Sequence, residues 1–181
     1  ASSAASDVYK RQAFENAGLS HYLIKTSNSL DLKDTVNIGS EVWEQGAIKR
    51  GNDIDEFLNG HLAGTGLGKN FPVADRLLKD ERILVSTKSL DIATQSYQNP
   101  NTLKNMLNKY GDSLKNIEKN YFDDGVLEWG GTTLKTSQYD KKALEIVLPD
   151  VIISEDALKV LNDFQTSMAK DGIEVWYRIV K

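Results

Sequence analysis

Asp75, Ser86 and Lys88 are the residues of this sequence whose types and spacing could support chemistry. They fall on two short stretches rich in apolar and β-branched residues, 71–78 and 82–87, with a charged tripeptide between them. This pattern predicts two antiparallel strands joined by a short loop. Because side chains alternate between the faces of a strand, Ser86 and Lys88 project the same way. The hairpin therefore brings a carboxylate, a hydroxyl and an ammonium group to one edge of a sheet.

A long amphipathic helix, predicted from Glu41 onward, adds two further carboxylates, Asp55 and Glu56. On a helical wheel of 3.6 residues per turn, Asp55 lies near the edge of the apolar stripe around Ile54, and Glu56 lies nearly opposite. Asp55 is therefore the better candidate to reach the sheet. Gly51, one turn earlier on the same side, would let the helix approach the sheet closely.

Two carboxylates and a lysine suit metal-assisted hydrolysis of a phosphodiester. Oxygen ligands bind hard divalent cations, which polarise the phosphate and lower the pKa of bound water. An ammonium group neutralises the charge that develops on the phosphoryl oxygens. Spacing alone is a weak signal, because paired charges on strands are usually a solvated surface. A structural ion pair among Asp55, Asp75 and Lys88, as in a binding module without catalysis, is the competing interpretation.

Lys104, Lys115 and Lys119 share one side of a helix predicted over 101–121. A row of ammonium groups on one helix face can follow a phosphate backbone. Exposed lysines on a helix are more often simply solvated. A nucleic-acid-binding face and a solvated surface both remain open.

The remaining pattern predicts a single α/β core. The long helix should bend near Gly46 or Gly51, and its glycine-rich end leads into the hairpin. The later elements are a small hairpin over 125–134, a strand over 143–148, a helix from its cap Ser154 to Ala169, and a strand over 174–180. With the 101–121 helix and the small hairpin set aside as insertions, the order is helix, strand, strand, strand, helix, strand, around a mixed sheet.

The amino terminus is predicted to be separate from this core. Residues 1–12 contain SSAASDVYKRQ, the translation of a widely used transposase sequencing adapter, so we exclude them from the fold. We expect the natural chain to begin upstream. Residues 13–40 are predicted to hold an accessory helix over 13–25 and a polar connector over 26–40, and 41–181 the main domain.

Composition narrows the possible functions. A chain of 181 residues with 40% hydrophobic residues fits one domain, and no apolar run is long enough to predict a membrane span. The absence of cysteine excludes disulfides, thiol nucleophiles and cysteine-based zinc sites. Two isolated histidines do not suggest a histidine metal site, so any metal should have oxygen ligands. At a net charge of -4, binding to nucleic acid would need a local basic surface.

Five segments carry a resemblance to a known family. They are RGNDIDEFL, NFPVADRL, VSTKSLDIAT, ALEIVLP and the closing GIEVWYRIVK. Together they resemble the C-terminal toxin domains of contact-dependent growth inhibition (CDI) effectors, in the branch with the PD-(D/E)XK, restriction-endonuclease-like fold. The likeness runs from about Arg50 to Lys181, and its most specific part is the Asp75 to Lys88 hairpin.

The resemblance implies roles for individual residues. Asp75 matches the metal-binding aspartate of the motif, Lys88 its catalytic lysine, and Asp55 the helix acid, which in the family is generally glutamate. Because Asp55 is shorter, the neighbouring Glu56 is an alternative ligand.

Ser86 occupies the middle acidic position of the motif. One carboxylate ligand is therefore missing, and the number of metal ions is open. The backbone carbonyl of Thr87 is a further ligand implied by the resemblance, with Ser86 assisting through a hydrogen bond. The cofactor is expected to be one or two divalent ions, Mg, Mn or Zn.

The resemblance also implies partners and location. We expect a monomeric nuclease toxin that cleaves DNA, with tRNA as the alternative substrate. It would be carried at the tip of a secreted surface effector, delivered into the cytoplasm of a target bacterium, and neutralised in the producer by a cognate immunity protein.

Overall fold

The computed structural model describes residues 30–152 and 154–181. Its strands are β1 (Leu32–Val36), β2 (Thr65–Gly66), β3 (Arg76–Leu78), β4 (Ile83–Ser89), β5 (Val126–Trp129), β6 (Thr132–Lys135), β7 (Lys141–Pro149) and β8 (Ile173–Val180). Its helices are α1 (Ala47–His61), α2 (Pro100–Lys115), α3 (Ile117–Tyr121) and α4 (Glu155–Lys170). Short 3-10 helices cover Ser40–Glu44, Gln95–Gln98 and Thr136–Gln138.

Six strands form one mixed sheet in the order β1-β8-β7-β4-β3-β2. Neighbours from β1 to β4 are parallel, and β3 and β2 continue the sheet in antiparallel pairing. The central strand β7 is buried from Ala143 to Pro149, as expected for a parallel strand covered on both faces. Strands β5 and β6 form a separate hairpin.

Helices cover both faces of the sheet. Residues of α2 and α4, including Leu107 and Leu161, pack with Leu144, Ile146 and Leu148 of β7 in the largest apolar cluster. On the opposite face, Ile54 and Leu58 of α1 pack on Val147 and Val180. Helix α1 also contacts β4, and the candidate site forms between α1 and the β3–β4 hairpin.

The predicted order of helix, three strands, helix and strand is confirmed as α1, β3, β4, β7, α4 and β8. The predicted hairpin is antiparallel, with Arg76 opposite Val85. Ser154 caps α4, since its hydroxyl accepts a hydrogen bond of 3.1 Å from the Ala157 N–H. The predicted α/β architecture around a mixed sheet is thus confirmed.

The predicted connector over 26–40 was wrong in its later part, because Leu32–Val36 is an edge strand parallel to β8. Three of the five residues in its sequence LKDTV are polar, so an apolar pattern did not reveal it. The accessory helix predicted over 13–25 lies outside the described residues.

Two predicted elements differ in their bounds. The strand expected over 71–78 is regular only from Arg76 to Leu78, because a tight turn occupies the residues before Asp75. The first long helix is divided at Gln45 and Gly46, which are both extended, whereas α1 continues through Gly51. The predicted bend near Gly46 is thus confirmed.

The single helix predicted over 101–121 is two helices, α2 and α3, which meet at Asn116. Helix α2 continues through Gly111. This glycine leaves room for Met168 of α4, whose Sδ would lie 2.8 Å from a Cβ at position 111. Lys119 therefore belongs to a different helix from Lys104 and Lys115, and the argument that all three share one helix face was wrong. No described helix has the length and apolar character needed to cross a membrane.

Candidate active site

Asp75 is fixed at the entry to β3 through both its backbone and its side chain. Its N–H donates a hydrogen bond of 2.9 Å to the Val85 carbonyl, and its own carbonyl accepts one of 2.9 Å from the Leu67 N–H. Its Oδ2 accepts a hydrogen bond of 2.6 Å from the Thr87 N–H. The carboxylate is thereby tied to β4, the strand that carries Ser86 and Lys88.

A strained turn brings the chain to Asp75. The Ala74 N–H donates to the Pro72 carbonyl at 2.7 Å, and Val73 between them has φ of 65°. This is a γ-turn with positive φ, which is rare for a β-branched residue and persists only where surrounding contacts hold it. Ser86 supplies such a contact, because its buried hydroxyl donates to the Val73 carbonyl at 2.6 Å. Ser86 therefore holds the backbone that presents Asp75.

Lys88 lies on the same side as Ser86. Its Nζ is 3.4 Å from the Val73 carbonyl oxygen, to which it donates, and 3.9 Å from Asp75 Oδ2. The separation from Asp75 is longer than a hydrogen bond between charged groups. The two charges are near enough to act on one phosphate without closing on each other.

Asp55 lies in the middle of a stripe on α1 that faces the sheet edge. A Cβ at Gly51 would lie 3.8 Å from Ser89 Oγ, and a Cβ at Gly66 would lie 3.5 Å from the side chain of Asn59. Residues four apart share one side of a helix, so Asp55 also faces the sheet edge, between these two contacts. Glu56 is exposed. Of the two predicted helix acids, the structure brings Asp55 toward Asp75.

Both carboxyl groups are held in surroundings that disfavour their ionisation. Burial and then the negative charge of Asp75 raise the pKa of Asp55 to about 8, although Lys88 opposes the shift. Burial also raises the pKa of Asp75, against the opposing effects of Lys88 and the Thr87 N–H. A pair of partly buried acids with raised pKa values is typical of a functional site, because a structural ion pair would lower them.

Asp55→Asn should change the pH dependence of stability. A carboxyl whose pKa is raised from 3.8 to about 8 on folding stabilises the fold fully below pH 3.8 and loses that contribution as the pH rises to about 8. In chelator, the melting temperature of the wild type should fall over this interval more steeply than that of the variant. Thermal melts from pH 5 to 9 measure this, with Glu56→Gln as the exposed control. Parallel curves for wild type and Asp55→Asn would contradict the raised pKa.

A buried ionic cluster that the sequence did not predict lies next to the site. Glu145 is fully buried on β7, with Oε1 3.0 Å from Arg76 Nη1 and Oε2 2.9 Å from Arg178 Nε. Thr87 Oγ1 also donates to Glu145 Oε1 at 3.3 Å. The sequence signal was a glutamate inside the apolar strand ALEIVL. Arg76 directly follows Asp75, and the Thr87 N–H donates a hydrogen bond to the Asp75 carboxylate. The cluster therefore supports the backbone on both sides of the candidate site.

The predicted nucleic-acid-binding lysines are not part of this cluster. Lys104 and Lys119 are exposed on α2 and α3. Lys115 Nζ is 3.2 Å from Asp171 Oδ2, at the carboxyl-terminal end of α4. Their role in binding stays a prediction.

Comparison with known proteins confirms the predicted restriction-endonuclease-like fold. A search of curated proteins found no match. A solved CdiA-CT/CdiI toxin and immunity complex from Yersinia pseudotuberculosis aligns with a TM-score of 0.57 at 22% identity, over 70% of this chain and 98% of that chain, and supports the fold. The sequence-family model of the CDI toxin restriction endonuclease-like domain matches residues 50–178, which include every residue of the candidate site. The chain therefore belongs to the family of CDI toxin restriction endonuclease-like domains.

Proposed function

We propose that this domain is a metal-dependent endonuclease toxin that hydrolyses phosphodiester bonds. The observation that carries the proposal is the approach of Lys88 Nζ to within 3.9 Å of Asp75 Oδ2, beside the carboxyl of Asp55. Family membership supports the nuclease class. The residues of the site supply carboxylates that can hold a divalent cation and an ammonium group that can neutralise charge on the phosphate.

The donor set fits a hard divalent cation. Within residues 30–152 and 154–181 no cluster of three or more acidic, histidine or cysteine side chains could hold a metal, so protein ligands would be the two carboxylates of Asp55 and Asp75 plus backbone oxygen. Thr87 is suited to provide it, because its N–H points to Asp75 and the carbonyl of an extended residue points to the same edge. A cation there would neutralise the repelling carboxylates, polarise the phosphate and lower the pKa of bound water.

The chain's own residues would perform the other tasks. The Lys88 ammonium, held by the Val73 carbonyl, can donate to a phosphoryl oxygen and neutralise the charge that grows on it. Ser86 keeps its hydroxyl on the Val73 carbonyl, so its contribution is to position the turn before Asp75. We assign no ligand role to Glu56, which is exposed.

We infer that DNA is the favoured substrate, with tRNA as the alternative. Purified domain should be incubated with plasmid and with total tRNA, each with Mg, Mn or Zn, and with and without chelator. We expect at least one of the two substrates to be cleaved in the presence of a divalent ion, and we expect chelator to stop this cleavage. Cleavage that persists in chelator would overturn the metal requirement, and a protein inert on both substrates would overturn catalysis.

A binding module is the second candidate, because Lys88 and Asp75 are within ion-pair range. In that case the pair would be structural and indifferent to metal. Thermal melts with added Mn separate the candidates: the nuclease should be stabilised through Asp55 and Asp75, and a closed ion pair should not.

We further infer a cognate immunity protein and delivery into a neighbouring bacterium. The similar Yersinia structure is itself a toxin and immunity complex, and the family consists of CDI toxin domains. Expression of the domain alone should be toxic to a host cell, and co-expression of the immunity protein should restore growth.

A further inference from the structure

Arg50, in the first turn of α1, is the arginine without an ion pair in residues 30–152 and 154–181. Its three counterparts in that part of the chain are all paired with carboxylates: Arg76 and Arg178 with Glu145, and Arg82 with Asp140. An arginine presents five N–H donors in a planar fork that matches phosphate geometry. Arg50 therefore keeps donor capacity that the fold does not use.

Arg50 is nonetheless held in place. Its Nε donates to Ser89 Oγ at 3.4 Å and its Nη1 to the Gln45 carbonyl at 3.5 Å, both long contacts to neutral oxygens. Its guanidinium carbon is 5.4 Å from the centre of the Trp43 ring, within cation–π range. The side chain is half-buried and oriented by uncharged groups, which leave its charge uncompensated.

The position of Arg50 relates it to the proposed catalytic site. Its hydrogen-bond partner Ser89 directly follows Lys88 on β4. Ser89 Oγ also lies beside Gly51, where a Cβ would be 3.8 Å away, and Gly51 is one turn before Asp55 on the same side of α1. A phosphate held by Arg50 at Ser89 would therefore lie next to a phosphate at Asp55 and Asp75.

Two tyrosines lie in the neighbourhood of Arg50. Tyr97 and Tyr110 are half-buried against the large apolar cluster that contains Leu90. Burial and then Tyr97 raise the pKa of Tyr110, while Arg50 lowers it, and no carboxylate contributes. Arg50 is therefore near enough to Tyr110 for its positive charge to act on the phenol.

We propose that Arg50, with the hydroxyl of Ser89, binds the phosphate next to the scissile one and so positions the substrate strand across the metal site. The two groups come from α1 and the end of β4, and each can donate to a phosphate oxygen. This inference rests on the proposed nuclease function and assigns a binding residue rather than a catalytic one.

Binding in chelator tests the assignment without cleavage. Fluorescence anisotropy would measure Kd for a labelled DNA duplex and, separately, for labelled tRNA, between 50 and 200 mM salt. For the substrate that the wild type binds more tightly, Arg50→Gln should raise Kd about tenfold. It should also reduce the slope of log Kd against log salt by about one. Arg50→Lys should retain the slope and lose part of the affinity, because it keeps the charge without the fork.

Lys49→Gln is the matched control, because it removes the same charge at the neighbouring position. The Lys49 side chain is exposed, and its Nζ lies 2.6 Å from Asp53 Oδ2. It should leave Kd unchanged. In cleavage assays Arg50→Gln should raise KM more than it lowers kcat. Equal effects of Arg50→Gln and Lys49→Gln, or no binding by the wild type, would overturn the inference. If the wild type binds nucleic acid through Arg50 but cleaves neither substrate, the nuclease proposal is refuted and the role of Arg50 in binding stands.

Discussion

Asp75→Asn is expected to reduce the cleavage rate by about 10³-fold while the fold is retained, because it removes the negative charge of the carboxylate proposed to hold the divalent cation. The amide oxygen can still accept the hydrogen bond from the Thr87 N–H, which is 2.6 Å from Asp75 Oδ2. The substitution also removes an acid whose pKa is raised by burial, so at neutral pH the variant should unfold at an equal or higher temperature than the wild type. Lys88→Ala should lower the rate by about 10²-fold or more, by loss of the phosphoryl-oxygen donor.

The hairpin offers matched controls for both variants. Asp80 and Lys79 are exposed in the loop between β3 and β4, and Asp80→Asn and Lys79→Ala change the same charges a short distance from the site. Both should cleave at the wild-type rate. Initial rates on the cleaved substrate, with circular dichroism melts of every protein, provide the measurement. Wild-type activity in Asp75→Asn and Lys88→Ala would remove these residues from the mechanism.

The local placement of Asp75 and Lys88 was predictable because it follows from short-range rules. Alternation along β4 placed Ser86 and Lys88 on one side, and a short charged loop predicted antiparallel pairing. The helical period placed Asp55 ahead of Glu56. Each of these inferences uses only the repeat of a regular element, and the structure places Asp55, Asp75 and Lys88 together as they required.

Features that depend on contacts distant in sequence were not predictable. The γ-turn at Val73 violates the backbone preference of valine, and its support comes from Ser86, thirteen positions later. The strand β1 is polar at three of its five positions, because an edge strand is covered on fewer sides. Its partner β8 lies at the opposite end of the sequence. The resemblance identified the fold, and local patterns alone would have left these elements as loops.

The cluster around Glu145 could not be assembled from sequence either, since its members come from β3, β4, β7 and β8. Glu145 balances two buried guanidinium groups, Arg76 and Arg178, and Arg76 Nε has no hydrogen-bond partner among the described residues. Burial of an ion pair is costly, but removal of one member is more costly because it leaves uncompensated charge in a poorly solvated place. The stability of the sheet beneath the candidate site should therefore depend on this one carboxylate.

Glu145→Ala is accordingly expected to lower the free energy of unfolding by about 3–5 kcal/mol. For a chain of this length this corresponds to a fall in melting temperature of roughly 10 °C or more. Urea and thermal unfolding of the purified variant measure the effect, and Glu128→Ala, at an exposed position of β5, should unfold with the wild type. Replacement of Glu145, Arg76 and Arg178 together by apolar residues of similar volume should recover much of the loss, because no buried charge then remains unpaired. If Glu145→Ala unfolds with Glu128→Ala, the carboxylate does not balance the two arginines, and the polar layer under Asp75 and Thr87 owes its order to backbone pairing alone.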